Sequence, residues 1–295
     1  MFYIRQKILL LFITKLNILN KYNLDDFDCR KYIQKSMFLF LQEIEEDSIK
    51  NIYNFVPYKQ GGYSFILKKD WYFLKDTILK NTETLINITK TVPHKIESLI
   101  DNYISKYSNI PLNNLVDKIY KNYPYYTKYT QNNLQENTKE VITNNTIQEN
   151  TLFTIGYEGI TIEEYINNLI KNNIELLIDV RCNPLSRKYG FSKSFLEKEL
   201  NYWNIKYIHI KELGIESSLR LNLDSKNLQS YEVLFTNYEK DLTTNKTQYL
   251  DELYSYFNTY NNIAITCFEK DVCCCHRGKI ADYLLKFKNI KVKNL

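Results

Sequence analysis

The chain has 295 residues, and a 44% hydrophobic content supports either one large core or two ordinary ones. A net charge of +5 permits contact with nucleic acid without demanding it, because a true basic footprint is stronger and clustered. Six cysteines, three of them adjacent at Cys273 to Cys275, make no disulfide framework in a chain this long; no secretory leader is evident, so the expected setting is the reducing cytoplasm.

The apolar run Ile8 to Ile13 is followed closely by Lys15 and is too short to span a bilayer. It reads as the core of a helix over Ile4 to Leu19, and no membrane partner is expected. Asn23 to Asp28 breaks that helix and offers caps for a second over Cys29 to Glu43, whose apolar face is Tyr32, Ile33, Met37, Phe40 and Leu41. Phe55 to Phe65 reads as extended chain around the Gly61-Gly62 turn. Asp70 to Leu79, Ser98 to Tyr107 and Leu112 to Tyr123 read as further helices. Helices with a short ribbon are compatible with a winged-helix module that contacts DNA or RNA. A small helical protein-interaction domain fits as well, because no helix shows a clean row of Arg, Lys, Asn and Gln. Residues 126–151 are rich in Asn, Thr, Gln and Glu, which is linker composition. The expected organisation is therefore a mainly helical domain over 1–125, a polar linker over 126–151 and a second domain over 152–295.

From Leu152 onward strands and helices alternate, the pattern of an α/β fold with a parallel sheet. Strands are expected at Leu152 to Ile155, Glu175 to Val180, Ile205 to Ile210 and Ile263 to Thr266, with Ile290 to Val292 closing the sheet. Helices are expected at Glu163 to Asn172, opened by a capping box of Thr161 and Glu164, and at Ser192 to Trp203, Leu228 to Leu242, Gln248 to Tyr260 and Arg277 to Phe287. Leu213 to Ser225 reads as a long loop.

Polar residues recur where these strands end. Gly156, Tyr157, Glu158 and Gly159 follow the first, using two of only seven glycines, either as an ordinary turn or as a close approach to a ligand. Asp179 leaves an apolar strand beside Arg181, with Arg187 and Lys188 nearby. This is either an anion clamp or a structural ion pair. His209 ends the third strand, either in the site or packed on a helix. The chain has no G-x-G-x-x-G and no Walker A pattern, which argues against a nicotinamide cofactor and P-loop chemistry.

The stretch Cys267-x-Glu269 to Cys275-His276-Arg277 is the most specific signal, and its residues leave several chemistries open. A metal could use Cys267, Cys273, Cys275 and His276, but the spacing is not that of a knuckle, and no metal is expected. A nucleophilic cysteine is possible, although Asp271 stands where a Cys-x5-Arg phosphatase loop needs its cysteine. An anion site at a helix N-terminus, with Glu269 or Asp179 as acid or base, is the third reading. In the fourth, these residues are purely structural.

Taken together, Thr154-Ile-Gly-Tyr-Glu-Gly159, Leu177-Ile-Asp-Val-Arg181, Asn183-Pro-Leu-Ser-Arg187, Tyr207-Ile-His209, Glu212-Leu-Gly214 and the Cys267 to Arg277 block resemble the signature blocks of the DUF488 family. The resemblance covers about Leu152 to Leu295, and the N-terminal helices resemble the winged-helix-like extra domain of longer members. It implies a Rossmann-like, mostly parallel α/β sheet flanked by helices. It also implies a site that gathers Asp179, Cys267, Glu269, Cys275 and His276 as catalytic candidates. Gly156, Tyr157, Arg181, Ser186, Arg187, His209 and Arg277 would be the ligand-binding candidates. Three functions follow as expectations: an enzyme on a phosphate-bearing nucleotide or nucleic-acid substrate, a regulatory protein sensing a small anionic ligand, or a thiol redox sensor using Cys267 and Cys275.

Overall fold

The computed structural model describes residues 2–78, 87–130, 150–220, 228–288 and 290–295. The chain divides into two compact units, Met1–Val141 and Ile142–Leu295. Most of the expected polar linker, residues 131–149, lies outside the described residues, as do Leu79 and residues 221–225 of the expected loop.

In the N-terminal unit, α1 (Ile4–Lys15) is buried at every position from Ile8 to Ile13. It ends before the expected Leu19 because Asn17 turns to a positive φ of 57°, and a short turn, Ile18–Lys21, follows. Helix α2 (Phe27–Glu43) is buried continuously from Tyr32 to Leu41. A helix buried on all sides lies at the centre of its unit. Its polar members serve the neighbouring hairpin of β1 (Val56–Tyr58) and β2 (Gly61–Tyr63), which pair antiparallel. The Gln34 amide bonds both the N–H and the carbonyl of Ser64, at 3.0 and 2.9 Å. Gly61 closes the hairpin at φ +91°, which only glycine adopts without strain.

Helix α3 (Phe65–Ile78) starts five residues ahead of the expected Asp70, because the Ser64 hydroxyl accepts the Leu67 N–H at 3.2 Å and caps it there. Helices α4 (His94–Tyr107) and α5 (Leu112–Asn122) each begin directly after a proline, where no donor is needed. A recognition helix has to expose a face to a groove. With α2 enclosed by its own unit, the winged-helix expectation finds no support in this helix.

The C-terminal unit is built on five strands in the order β5-β4-β6-β3-β7, every pairing parallel. They are β3 (Thr151–Gly156), β4 (Leu176–Asp179), β5 (Lys206–His209), β6 (Asn262–Cys267) and the edge strand β7 (Lys291–Asn294). All residues of β4 and β6 are buried, as strands covered on both faces must be. The flanking helices are α6 (Ile162–Lys171), α7 (Lys193–Leu200), α8 (Leu228–Thr244), α9 (Thr247–Ser255) and α10 (His276–Lys288). The capping box forms as expected, with the Thr161 hydroxyl 3.2 Å from the Glu164 N–H and the Glu164 carboxylate 2.6 Å from the Thr161 N–H. One sheet face, including Ile178, Ile263 and Ile265, packs into a core with Tyr238, Leu250 and Ile280 from α8, α9 and α10. Part of the expected loop after β5 is wound into short turns at Lys211–Leu213 and Ser217–Arg220. Among the described residues no helix is long and apolar enough to cross a membrane.

Register decides where the site lies. Gly156 pairs with Cys267, and Asp179 pairs with both Thr266 and His209. The carboxyl ends of four parallel strands are therefore level at one edge of the sheet, which is where open α/β sheets place ligands.

One buried charge in the N-terminal unit gives a test of this packing. Lys35 is 3% exposed and donates to the Gly62 carbonyl at 2.9 Å. Burial, with repulsion from Lys31, lowers its pKa from 10.5 to about 7. Between those values the unfolded chain holds the proton and the folded one releases it, so stability rises with pH. In a Trp203→Phe background, where Trp71 reports this unit, urea unfolding should show about 2 kcal/mol more stability at pH 9 than at pH 7. The Lys35→Met variant should lose that difference; an equal pH response in both proteins contradicts the assignment.

Candidate functional site

The site is assembled from loops that leave the sheet edge. After β6 the chain turns at Phe268 and Glu269 and crosses directly over the end of β3. A Cβ on Gly156 would stand 1.9 Å from the Glu269 carbonyl oxygen, so only glycine allows the crossing. The Phe268 carbonyl accepts the N–H groups of Tyr157 and Glu158 at 3.1 and 2.9 Å. From the first turn of α10, the Arg277 guanidinium donates to the carbonyls of Glu269 and Lys270, the latter at 2.7 Å. Arg277 is 1% exposed. It closes the 268–276 loop onto the start of its own helix.

This closure brings one atom each from Cys267, Glu269, Cys275 and His276 within 4.8 Å of one another. One carboxylate oxygen, Glu269 Oε2, accepts from Cys267 Sγ at 3.1 Å and from Cys275 Sγ at 3.0 Å. The His276 Nδ1 atom stands 3.6 and 3.9 Å from the same two sulfurs. Its other nitrogen, Nε2, is 2.9 Å from the Val180 carbonyl. A carbonyl only accepts, so Nε2 carries a hydrogen and Nδ1 is the nitrogen that faces the thiols. Tyr238 packs edge-on against the imidazole at 5.8 Å.

The two thiols are made unlike. The hydrogen bond that Cys267 donates to Cys275, burial and the nearby Glu269 push the Cys267 thiol well above its ordinary value. Burial opposes ionisation of Cys275 too, but hydrogen bonds with Cys267 and His276 outweigh it and bring that thiol down to about 6. Cys273 and Cys274 are exposed, with their sulfurs 3.7 Å apart, and do not belong to the cluster of four.

A second group lies at the ends of β4 and β5. The Asp179 carboxylate, 0% exposed, accepts from Arg181 through its backbone N–H at 3.0 Å, Nε at 2.8 Å and Nη2 at 2.5 Å. The Tyr207 hydroxyl adds a bond at 2.6 Å. Arg181 spends Nη1 on the Tyr157 hydroxyl at 2.7 Å and the Phe191 carbonyl at 2.9 Å. Burial resists the Arg181 charge, but the hydrogen bond and attraction of Asp179 outweigh it and raise the pKa. Tyr157 stacks on Phe191 with ring centroids 4.4 Å apart.

His209 Nε2 donates to the Arg181 carbonyl at 2.7 Å, while His276 holds the preceding carbonyl of Val180. Two imidazoles thus clamp consecutive peptides at the end of β4, and they join the thiol cluster to the Asp179–Arg181 pair through backbone. Ser186 shapes its own loop, accepting the Lys188 N–H at 3.1 Å. Arg187 is exposed there, and the Lys188 ammonium reaches the Tyr157 carbonyl at 2.5 Å. Sequence reasoning missed Tyr207, whose hydroxyl on Asp179 follows from two-residue alternation with His209 along β5. It also missed the structural use of the Val180 and Arg181 carbonyls, which no residue type signals.

Residues 161–284 match the family model described as Domain of unknown function DUF488. The match contains Asp179 through Arg277 and begins after Gly156 and Tyr157; it does not extend to the N-terminal unit. No curated protein and no solved structure matches the chain.

Asp179 and Arg181 form a buried pair whose rupture leaves an uncompensated guanidinium, a loss of about 3–5 kcal/mol. Asp179→Asn should lower the urea stability of the C-terminal unit by about 3 kcal/mol, read from Trp203 fluorescence in a Trp71→Phe background. Adding Arg181→Met should recover part of the loss. A cost below about 1 kcal/mol for Asp179→Asn would show that the pair is not the anchor described.

Proposed function

We propose that the C-terminal unit is an enzyme acting on a phosphate-bearing substrate, a nucleotide or a nucleic acid, at the cluster of Cys267, Glu269, Cys275 and His276. The observation that carries this reading is the convergence of two thiols, a carboxylate and an imidazole within 4.8 Å at the carboxyl edge of a parallel sheet. Such groups are costly to bury, and folds keep them where chemistry uses them. Glu269 is half-buried while its three partners are buried, so the substrate reaches the cluster on the Glu269 side. Glu269 exchanges a proton with the substrate, and Cys267, Cys275 and His276 hold it in place.

The phosphate preference is supported by the cations of the loop after β4, exposed Arg187 and half-buried Lys188. Asp179, Arg181 and Arg277 take positioning parts in this reading. The bonds to Arg181 and Tyr207 occupy both Asp179 oxygens, and Arg277 is turned to the carbonyls of its own loop.

One observation favours the alternative, a ligand-sensing protein. The N-terminal unit holds a cavity of about 470 Å³ bordered by Arg30, Lys31, Lys59, Lys68 and Trp71. The Trp71 indole N–H there is buried without a hydrogen-bond partner. These groups suit an anionic ligand or a nucleic-acid backbone, and contact with the latter requires binding that weakens steeply with salt.

The enzymatic reading is tested by incubating the full chain with nucleoside mono-, di- and triphosphates and with single- and double-stranded oligonucleotides, following products by phosphorus NMR and mass spectrometry. Wild type should turn over at least one class. Glu269→Gln should be slower by at least about 100-fold, with binding retained by calorimetry. No turnover by wild type, or an equal rate in Glu269→Gln, contradicts the reading.

A further inference from the structure

We infer that Cys267, Glu269, Cys275 and His276 form a binding site for one thiophilic divalent metal ion, for which zinc is the natural occupant. The inference goes beyond the proposed reaction: it uses the same four side chains, makes Glu269 a ligand of the ion through one oxygen, and does not require any of them to be catalytic.

Geometry is the first argument. Each residue offers one ligand atom, and all four atoms lie within 4.8 Å of one another. Around a tetrahedral zinc, with Zn–S near 2.3 Å and Zn–N or Zn–O near 2.0–2.1 Å, neighbouring ligand atoms stand about 3.3–3.8 Å apart. Sulfur-to-carboxylate separations here are 3.1 and 3.0 Å, and sulfur-to-imidazole separations are 3.6 and 3.9 Å. The two remaining pairs, sulfur to sulfur and imidazole to carboxylate, lie within 4.8 Å, so movements of less than about 1 Å per atom complete the tetrahedron.

The second argument is orientation. A metal-binding imidazole commonly donates its other N–H to a carbonyl or carboxylate, which fixes the tautomer and aims the lone pair. His276 does this with the Val180 carbonyl, leaving Nδ1 toward both thiols. The Glu269 backbone is anchored through its carbonyl by Arg277 and by the close approach of Gly156. Rigid surroundings of this kind hold ligands before the ion arrives.

Charge and donor softness are the third. Two thiols and a carboxylate around one point repel as anions unless a cation lies between them. A set of two sulfurs, one nitrogen and one oxygen selects zinc and rejects magnesium and calcium, which require oxygen shells. Three buried donors with a half-buried Glu269 at the fourth position place the open side of the ion toward solvent. The pattern is Cys267-x-Glu269-x5-Cys275-His276, in which Glu269 takes the place that spacing alone would give to Cys273. Cys273 and Cys274 stay exposed and pair with each other.

The test is metal content and cobalt spectroscopy of the full chain, with no substrate present. Wild type should carry about one zinc per chain by plasma mass spectrometry, and cobalt loading should give thiolate charge-transfer bands and the intense visible bands of a tetrahedral site. Both signals should vanish in Cys267→Ser and in Cys275→Ser and persist in the double variant Cys273→Ser/Cys274→Ser. The wild-type spectrum decides the matter even if a ligand variant does not fold. Absence of zinc uptake and of the cobalt bands in wild type overturns the inference, as does loss in the Cys273/Cys274 variant with retention in the other two. A metal-loaded protein that turns over no phosphate ester overturns the enzymatic reading alone. An active protein that takes up no metal overturns the metal site alone.

Discussion

The candidate site depends on a single buried guanidinium that closes its own loop. Arg277 donates to the carbonyls of Glu269 and Lys270 from inside the unit, at 1% exposure. Burying a guanidinium is expensive, and hydrogen bonds to carbonyls offset the cost only if the acceptors are held in place. Gly156 supplies that condition by letting the Glu269 peptide lie on the end of β3, where the Tyr157 and Glu158 N–H groups hold the Phe268 carbonyl. Without this closure, residues six to nine apart in sequence would have no reason to meet. With it, Cys267 and Glu269 at the end of β6 face Cys275 and His276 at the start of α10.

A second constraint fixes the strand beside it. The peptides after Asp179 offer their carbonyls to two imidazoles, Val180 to His276 and Arg181 to His209. The Asp179–Arg181 pair, with Tyr207 and Tyr157, holds the same segment from its side chains. A shift in one group is therefore transmitted to the other through the backbone of residues 179–181. Positioning is the part this arrangement suits, since its donors and acceptors are turned on one another.

Much of the C-terminal unit was legible in the sequence because its strands are short apolar runs and its first helix carries a full capping box. The ends of the N-terminal helices were less legible. A cap at Ser64 and a left-handed turn at Asn17 are single-residue events that periodicity does not register. At the site, the residues Asp179, Cys267, Glu269, Cys275 and His276 could be read from type and from position at strand ends. Their grouping could not. Adjacent Cys273, Cys274 and Cys275 look equivalent in sequence, but a short turn at Val272–Cys274 sends the first two to solvent and only the third inward. Arg181 and Arg277 read as anion clamps, yet their partners are a neighbouring carboxylate and loop carbonyls, and carbonyls have no sequence signature.

The claim that these four side chains make one centre is tested most directly by the zinc K-edge X-ray absorption spectrum of the zinc-loaded full chain. The account predicts two sulfur scatterers at about 2.3 Å and two nitrogen or oxygen scatterers at about 2.0–2.1 Å. A shell without sulfur, or one with three or four sulfurs drawn in from Cys273 and Cys274, would contradict it.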